Sequence, residues 1–181
     1  MLALQSLDRN SNVILVGSFA KLLTPTLRIG YMVLPASLVD LFRAFRYRTD
    51  FRSLSLDQAV LCDFIADGHL ARHLRRMRTL YAGRLAALLD GGKQHLGGLL
   101  ELSDVRAGLY TIGFLKNGMT SRRAEKLAAD RGIEALAVDR FTLRRSDPRG
   151  LVLGFAAYDE AEIRQALVRL AQALGSRDPS R

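Results

Sequence analysis

The sequence predicts an α/β fold on three observations. Two short, β-branched, nearly all-apolar runs stand close together at residues 12–17 (NVILVG) and 28–35 (RIGYMVLP). A helical stripe follows, with Leu70, Leu74, Met77, Tyr81, Leu85 and Leu88 recurring at steps of three and four. From about residue 99, strand-like and helix-like segments alternate. Strands followed by covering helices build a compact α/β layer.

Taken in order, the two apolar runs suit strands buried on both faces, as in parallel or mixed sheets. Between them TPT (24–26) predicts a turn, because Pro25 fixes φ and offers no amide hydrogen. Pro35 stops the second run. Ser37 is placed to N-cap a helix, ASLVDLFRAFRYRT, with Leu38, Leu41, Phe42 and Phe45 on one face. The segment SLSLDQAVLCDFIADGH predicts a second helix, which Gly68 interrupts or ends. The long helix then covers about 69–90, and the glycines of DGGKQHLGG close it. LLELSDV and AGLYTIGFL read as strands, SRRAEKLAADRG as a helix with a glycine stop, EALAVDRF as a third strand and LVLGFAA as a fourth. DEAEIRQALVRLAQAL is the last helix. Two buried-type strands at 12–35 require sheet neighbours on both sides, which nothing upstream supplies, so the sequence reads as a piece of a longer protein.

A chain of 181 residues, 49% hydrophobic and 25% charged, suits one ordinary globular domain, or a small domain plus part of another. No apolar run approaches the roughly 18–20 residues of a membrane span. The N-terminus MLALQSLDRNSN lacks the regions of a signal peptide. The single cysteine, Cys62, excludes an internal disulfide and suits packing as a small hydrophobe in a reducing compartment, so a cytoplasmic protein is expected. The net charge of +9 is spread along the chain, which makes nucleic-acid binding the lesser reading. In ARHLRRMR (71–78), Arg72, Arg75, Arg76 and Arg78 mostly avoid the apolar stripe and suit a solvated face. His69 and His73 are spaced to share a metal, but no carboxylate or cysteine completes a set, and no metal is expected.

Lys21 stands between the two apolar runs, one of four lysines against twenty-three arginines. A lysine amine becomes a nucleophile toward carbonyls when desolvation or a nearby cation lowers its pKa. Burial between strands would supply the first and Arg28 the second. Ser18 lies three residues before Lys21 and Arg28 seven after it. A hydroxyl and a guanidinium beside one lysine suit a phosphate, and a phosphate-bearing aldehyde held by a lysine is pyridoxal phosphate. The plainer alternative is a strand-end lysine whose stem packs while its amine reaches water, with Arg28 as an edge-strand charge.

The stretch VGSFAKLLTPTLRIGYMVLP resembles the lysine segment of fold-type I pyridoxal-phosphate enzymes. It is closest to the aminotransferase-like domain of MocR-type regulators, a branch of the GntR transcription factors. The resemblance continues through LDQAVLCDFIADGHLARHLRRMRTLYAGRLAALL, through AGLY and through LVLGFAAYDEAEIRQALVRLAQAL. It implies the C-terminal portion of a fold-type I transferase-like domain. Residues 1–54 would be the end of the large cofactor-binding domain, 55–95 connecting helices, and 96–181 a small α/β domain. Lys21 would form the internal aldimine, and Ser18 and Arg28 would hold the cofactor phosphate. Arg140, in the third strand of the small domain, sits where the family often grips a substrate carboxylate. Left to its own sequence, Arg140 reads equally as a solvated strand end or a partner for Asp139 or Asp159. Ala20 replaces the serine frequent before the lysine. The ring-stacking aromatic, the aspartate facing the pyridine nitrogen, further phosphate donors and a DNA-binding winged helix-turn-helix would come from upstream.

The resemblance implies an effector domain that senses an amino acid or amine through aldimine formation, in a homodimer that contacts DNA only through a domain outside this chain, with no membrane role. A true aminotransferase, and a structural or dimerisation domain without retained chemistry, stand beside that reading.

Overall fold

A computed structural model describes residues 4–49, 55–104, 108–116, 118–142 and 149–175. By internal packing the chain forms two compact units, Met1–Arg75 and Arg76–Arg181.

The first unit opens with a 3-10 turn, Leu4–Leu7. A loop organised by Asp8 follows, whose carboxylate accepts from the backbone N–H groups of Asn10 (3.0 Å), Asn12 (2.7 Å) and Val13 (2.8 Å). Those donors, Val13 foremost, hold the Asp8 carboxyl below its ordinary value. β1 (Leu15–Ser18) and β2 (Gly30–Val33) then pair antiparallel, with Leu15 opposite Val33 and Ser18 opposite Gly30. Within this chain the two strands are not buried on both faces, the sheet neighbours they call for being absent among the described residues. β2 is exposed throughout and β1 alternates, Val16 being 69% exposed. Among the described residues β1 pairs only with β2, and apolar composition alone does not bury the two strands.

Ser37 does not cap a helix. It lies inside a 3-10 turn, Ala36–Leu38, and Pro35 occupies the cap position without a side-chain bond. α1 (Val39–Thr49) carries the expected apolar face, yet Leu41 and Phe45 are exposed. α2 (Ser55–Ala66) ends before Gly68, whose φ of +72° and N–H bond to Ile65 O close the helix as its sequence predicts. Cys62, expected to pack, is exposed on α2.

α3 (His69–His95) runs through Gly91 and Gly92 rather than stopping at them. The reason is packing. A Cβ on Gly91 would meet Leu167 Cδ1 at 2.6 Å, and one on Gly92 would collide with Leu102. These glycines give up helix propensity, about 1 kcal/mol each, for close approach of neighbouring side chains.

In the second unit, β3 (Leu100–Leu102), β4 (Tyr110–Leu115), β5 (Leu136–Ala137) and β6 (Gly150–Gly154) form one sheet in the order β3-β4-β6-β5. Every neighbouring pair is antiparallel. α4 (Ser121–Ala129) connects β4 to β5, capped by Thr120, whose Oγ1 accepts from Arg123 N. α5 (Glu160–Gly175) starts with a reciprocal capping box. Asp159 Oδ1 accepts from the N–H groups of Ala161 (2.9 Å) and Glu162 (2.8 Å), while Glu162 accepts from Asp159 N at 2.8 Å. Along β6 and just past it, Leu151, Leu153 and Phe155 point the same way, as period two requires. They share a core with Leu88 and Leu96, with Ala124 and Ala128 of α4, and with Ile163, Leu167 and Leu170 of α5. The predicted third strand is shorter than expected: β5 holds two residues, and the chain turns at once into a 3-10 segment, Val138–Phe141.

Among the described residues, no helix is long and apolar enough to cross a membrane, and no group of three or more metal-ligating side chains assembles.

Candidate functional site

Ser18 ends β1 in the first unit, and Lys21 and Arg28 lie on the connection from it to β2. The strand register closes the base of this connection. Ser18 faces Gly30, and Phe19 N bonds to Ile29 O at 3.1 Å. Two glycines let the strands approach. A Cβ on Gly30 would lie 2.8 Å from Gly17 O, and the Tyr31 ring lies across the bare face of Gly17. Tyr31 also packs against Phe19, with ring centroids 5.7 Å apart.

Lys21 sits in a tight turn. The N–H groups of Leu22 (3.0 Å) and Leu23 (2.8 Å) both bond to Phe19 O. Ser18 Oγ accepts from Ala20 N at 3.2 Å, so its hydroxyl braces the turn and keeps its own proton to donate. Lys21 is exposed, which corrects the expectation of burial between strands. The turn expected at TPT is a 3-10 segment, Pro25–Leu27, capped by Thr24, whose Oγ1 accepts from Thr26 N at 3.4 Å.

That segment ends in Arg28 with φ +51° and ψ +26°, a left-handed conformation. Only Ser11 shares a positive φ among the described non-glycine residues. Left-handed backbone costs a side-chain-bearing residue roughly 1–2 kcal/mol, and glycine escapes that cost. An arginine kept where glycine fits better points to work for the guanidinium. Arg28→Gly is therefore expected to leave thermal stability unchanged or raised, and to weaken binding of a phosphate-bearing cofactor at least roughly ten-fold, the scale of a lost charge-assisted hydrogen bond. Paired melting curves and cofactor titrations check both halves.

Arg140 belongs to the second unit, in the 3-10 segment after β5 rather than in a strand. Its partner is neither Asp139 nor Asp159. Arg140 Nε donates to Glu125 Oε1 at 2.7 Å, and the same oxygen accepts from Ala137 N at 3.3 Å. The tight turn folds Arg140 back onto α4, beyond the reach of local sequence spacing. Burial works to raise the Glu125 carboxyl, but the bonds from Arg140 and Ala137 outweigh it and hold the pKa below the ordinary value. With folded values depressed, Asp8 and Glu125 stabilise the fold above the ordinary carboxylate range, and that contribution fades as pH falls through their folded values. Sequence reasoning missed both carboxylates. An Asp followed by Asn and Ser (DRNSN) is a turn signal that points to Asp8, whereas no local signal marks Glu125.

The donor set of the first unit fits pyridoxal phosphate. It offers an amine for the aldehyde, and a hydroxyl and a guanidinium for the phosphate, all on one hairpin.

No family model matches the chain. It is 33% identical over 171 residues to the probable rhizopine catabolism regulatory protein MocR of Rhizobium meliloti, covering 94% of this chain and 35% of that protein. It is 29% identical over 171 residues to the uncharacterized HTH-type transcriptional regulator YhdI of Bacillus subtilis, covering 94% of this chain and 36% of that one. The chain thus spans about a third of the length of these relatives. Its backbone matches a kynurenine aminotransferase of Pyrococcus horikoshii with a TM-score of 0.85 over 94% of this chain and 42% of the other, at 24% identity. That likeness establishes the α/β fold of the type I aminotransferases. By sequence the chain belongs with the MocR-type regulators of the GntR class, in the part of them that carries this aminotransferase-like fold.

Proposed function

We propose that this chain is the aminotransferase-like effector part of a MocR-type regulator, binding pyridoxal 5'-phosphate and sensing an amino acid or amine. The observation that carries the proposal is the single hairpin bearing Ser18, Lys21 and a left-handed Arg28, in a chain similar to MocR. Lys21 Nζ would hold the cofactor aldehyde. Arg28 and Ser18 would hold its phosphate, the guanidinium by charge and a planar fork, the hydroxyl by one directed proton. Bound there, the cofactor would supply an electrophilic carbon toward amines. Lys21, once displaced, would be a free base beside the ligand, able to hold or pass a proton.

Residues 1–54 would then close a larger cofactor-binding domain, 55–95 connect it, and 96–181 form the small domain. With Nε engaged by Glu125, the Nη edge of Arg140 would take a ligand carboxylate bidentately. The working assembly would be a homodimer, and DNA recognition would belong to a helix-turn-helix domain outside residues 1–181.

The test uses the intact protein that carries this sequence. Added pyridoxal phosphate should produce a visible absorbance, and borohydride should then fix the cofactor to the peptide containing Lys21. A labelled peptide elsewhere would overturn the assignment. An amino ligand that shifts the absorbance and operator affinity together, without turnover on an oxo-acid acceptor, identifies a sensor. Steady turnover identifies an aminotransferase.

A further inference from the structure

Resting on the Lys21 reading above, we propose that His73 is a positioning residue for Lys21, acting through the carbonyl of Leu22. His73 Nε2 lies 2.9 Å from Leu22 O. A carbonyl oxygen only accepts, so Nε2 carries a proton and donates it. Leu22 directly follows Lys21, in the turn whose Leu22 and Leu23 N–H groups close on Phe19 O. The bond to His73 ties that turn to α3, 51 residues further along the chain.

The consequence is mechanical. A connecting turn is less constrained than the strands it joins. A helix is rigid, and a donor on it fixes the plane of the Leu22–Leu23 peptide. Together with the Leu22 and Leu23 N–H bonds to Phe19 O, that narrows the backbone torsions that aim the Lys21 side chain. Lysine has four rotatable carbons, so a wandering Cα–Cβ vector spreads its amine over a wide volume, and preorganisation needs a support of this kind. Histidine suits the task among the arginines around it. It reaches with only two side-chain torsions and presents a ring N–H to the carbonyl.

His69, one turn earlier, has different contacts. Its ring stacks on Phe64 with centroids 5.5 Å apart, and Nδ1 lies 3.3 Å from Arg72 Nη1. The two histidines, spaced to share a metal, instead divide between packing and tethering.

The experiment loads the intact protein with pyridoxal phosphate and compares wild type with His73→Gln, His73→Asn and His73→Phe. The Gln amide N–H reaches nearly the point that Nε2–H occupies, whereas the Asn amide falls short and Phe has no donor. Capture of the cofactor is followed by absorbance, its dissociation constant by titration, and the attachment point by borohydride and peptide mass. His73→Gln should match wild type within about two-fold, and His73→Phe and His73→Asn should each capture more slowly and bind roughly ten-fold more weakly, the scale of one hydrogen bond. Equal capture by all four proteins, with Lys21 labelled in each, overturns the role of His73 while leaving Lys21 in place. Loss in His73→Gln as large as in His73→Phe also overturns it, since the donor would then not be what matters. Labelling of another lysine in wild type removes the Lys21 reading and this inference with it. The Asn variant keeps the test open should Phe impair folding.

Discussion

Lys21→Ala abolishes the visible absorbance that pyridoxal phosphate produces with the intact protein, and borohydride then fixes no cofactor to it. The expected effect is complete, because no other side chain on the hairpin has an amine. Lys21→Arg should be as inert as the alanine variant. A guanidinium stays protonated and cannot add to an aldehyde, so keeping the charge does not keep the chemistry. Folding should be untouched, with stability within about 0.5 kcal/mol of wild type, as for exposed positions away from caps and strain. Absorbance, mass of the reduced adduct and a urea unfolding curve together decide the matter. Any Lys21→Ala protein that retains wild-type absorbance sinks the assignment.

Phe155→Ala is expected to be the most damaging substitution for the fold. Phe155 is 1% exposed and belongs to the core that β6 shares with α3, α4 and α5. Its own N–H bonds to Leu109 O at 3.2 Å, so the backbone there cannot move freely to fill a void. Truncating a buried phenylalanine costs about 3–5 kcal/mol, from lost transfer energy plus the cavity left behind. A domain's whole stability is only about 5–15 kcal/mol. Urea denaturation of the second unit's transition should show a lower midpoint with an unchanged slope. Phe45→Ala makes the matched control, because Phe45 is 67% exposed on α1. In this chain it should change the unfolding free energy by no more than about 0.5 kcal/mol. Comparable losses from both substitutions would show that the core is not where the packing places it.

The legible features of the sequence were the contiguous ones. Ser18, Lys21 and Arg28 span eleven residues, and the hairpin joining them is short enough for Pro25 and the flanking apolar runs to announce it. The long helix and its stripe were legible for the same reason, since period is a local property. What escaped depends on partners far along the chain. Gly91 and Gly92 look like a helix stop until Leu167 and Leu102 are seen against them. Arg140 looks like a strand residue until Glu125, fifteen positions earlier, draws it into a turn. Apolar composition suggested that β1 and β2 are buried, but burial is a fact about neighbours and not about the strand itself. The tether from His73 to Leu22 spans 51 positions and leaves no trace in spacing.

The uneven placement of the core has an evolutionary consequence. Among the described residues, Pro35 and Leu61 are the buried apolar side chains of the first unit, and the rest fall at or beyond Ala87. Substitutions past Ala87 are therefore screened chiefly by whether the polypeptide survives in the cell, where one or two kcal/mol changes its abundance. Exposed hairpin positions such as Lys21 and Arg28 are screened less by packing within this chain and more by what the hairpin holds. The core past Ala87 conserves volume, and the exposed hairpin positions conserve chemistry.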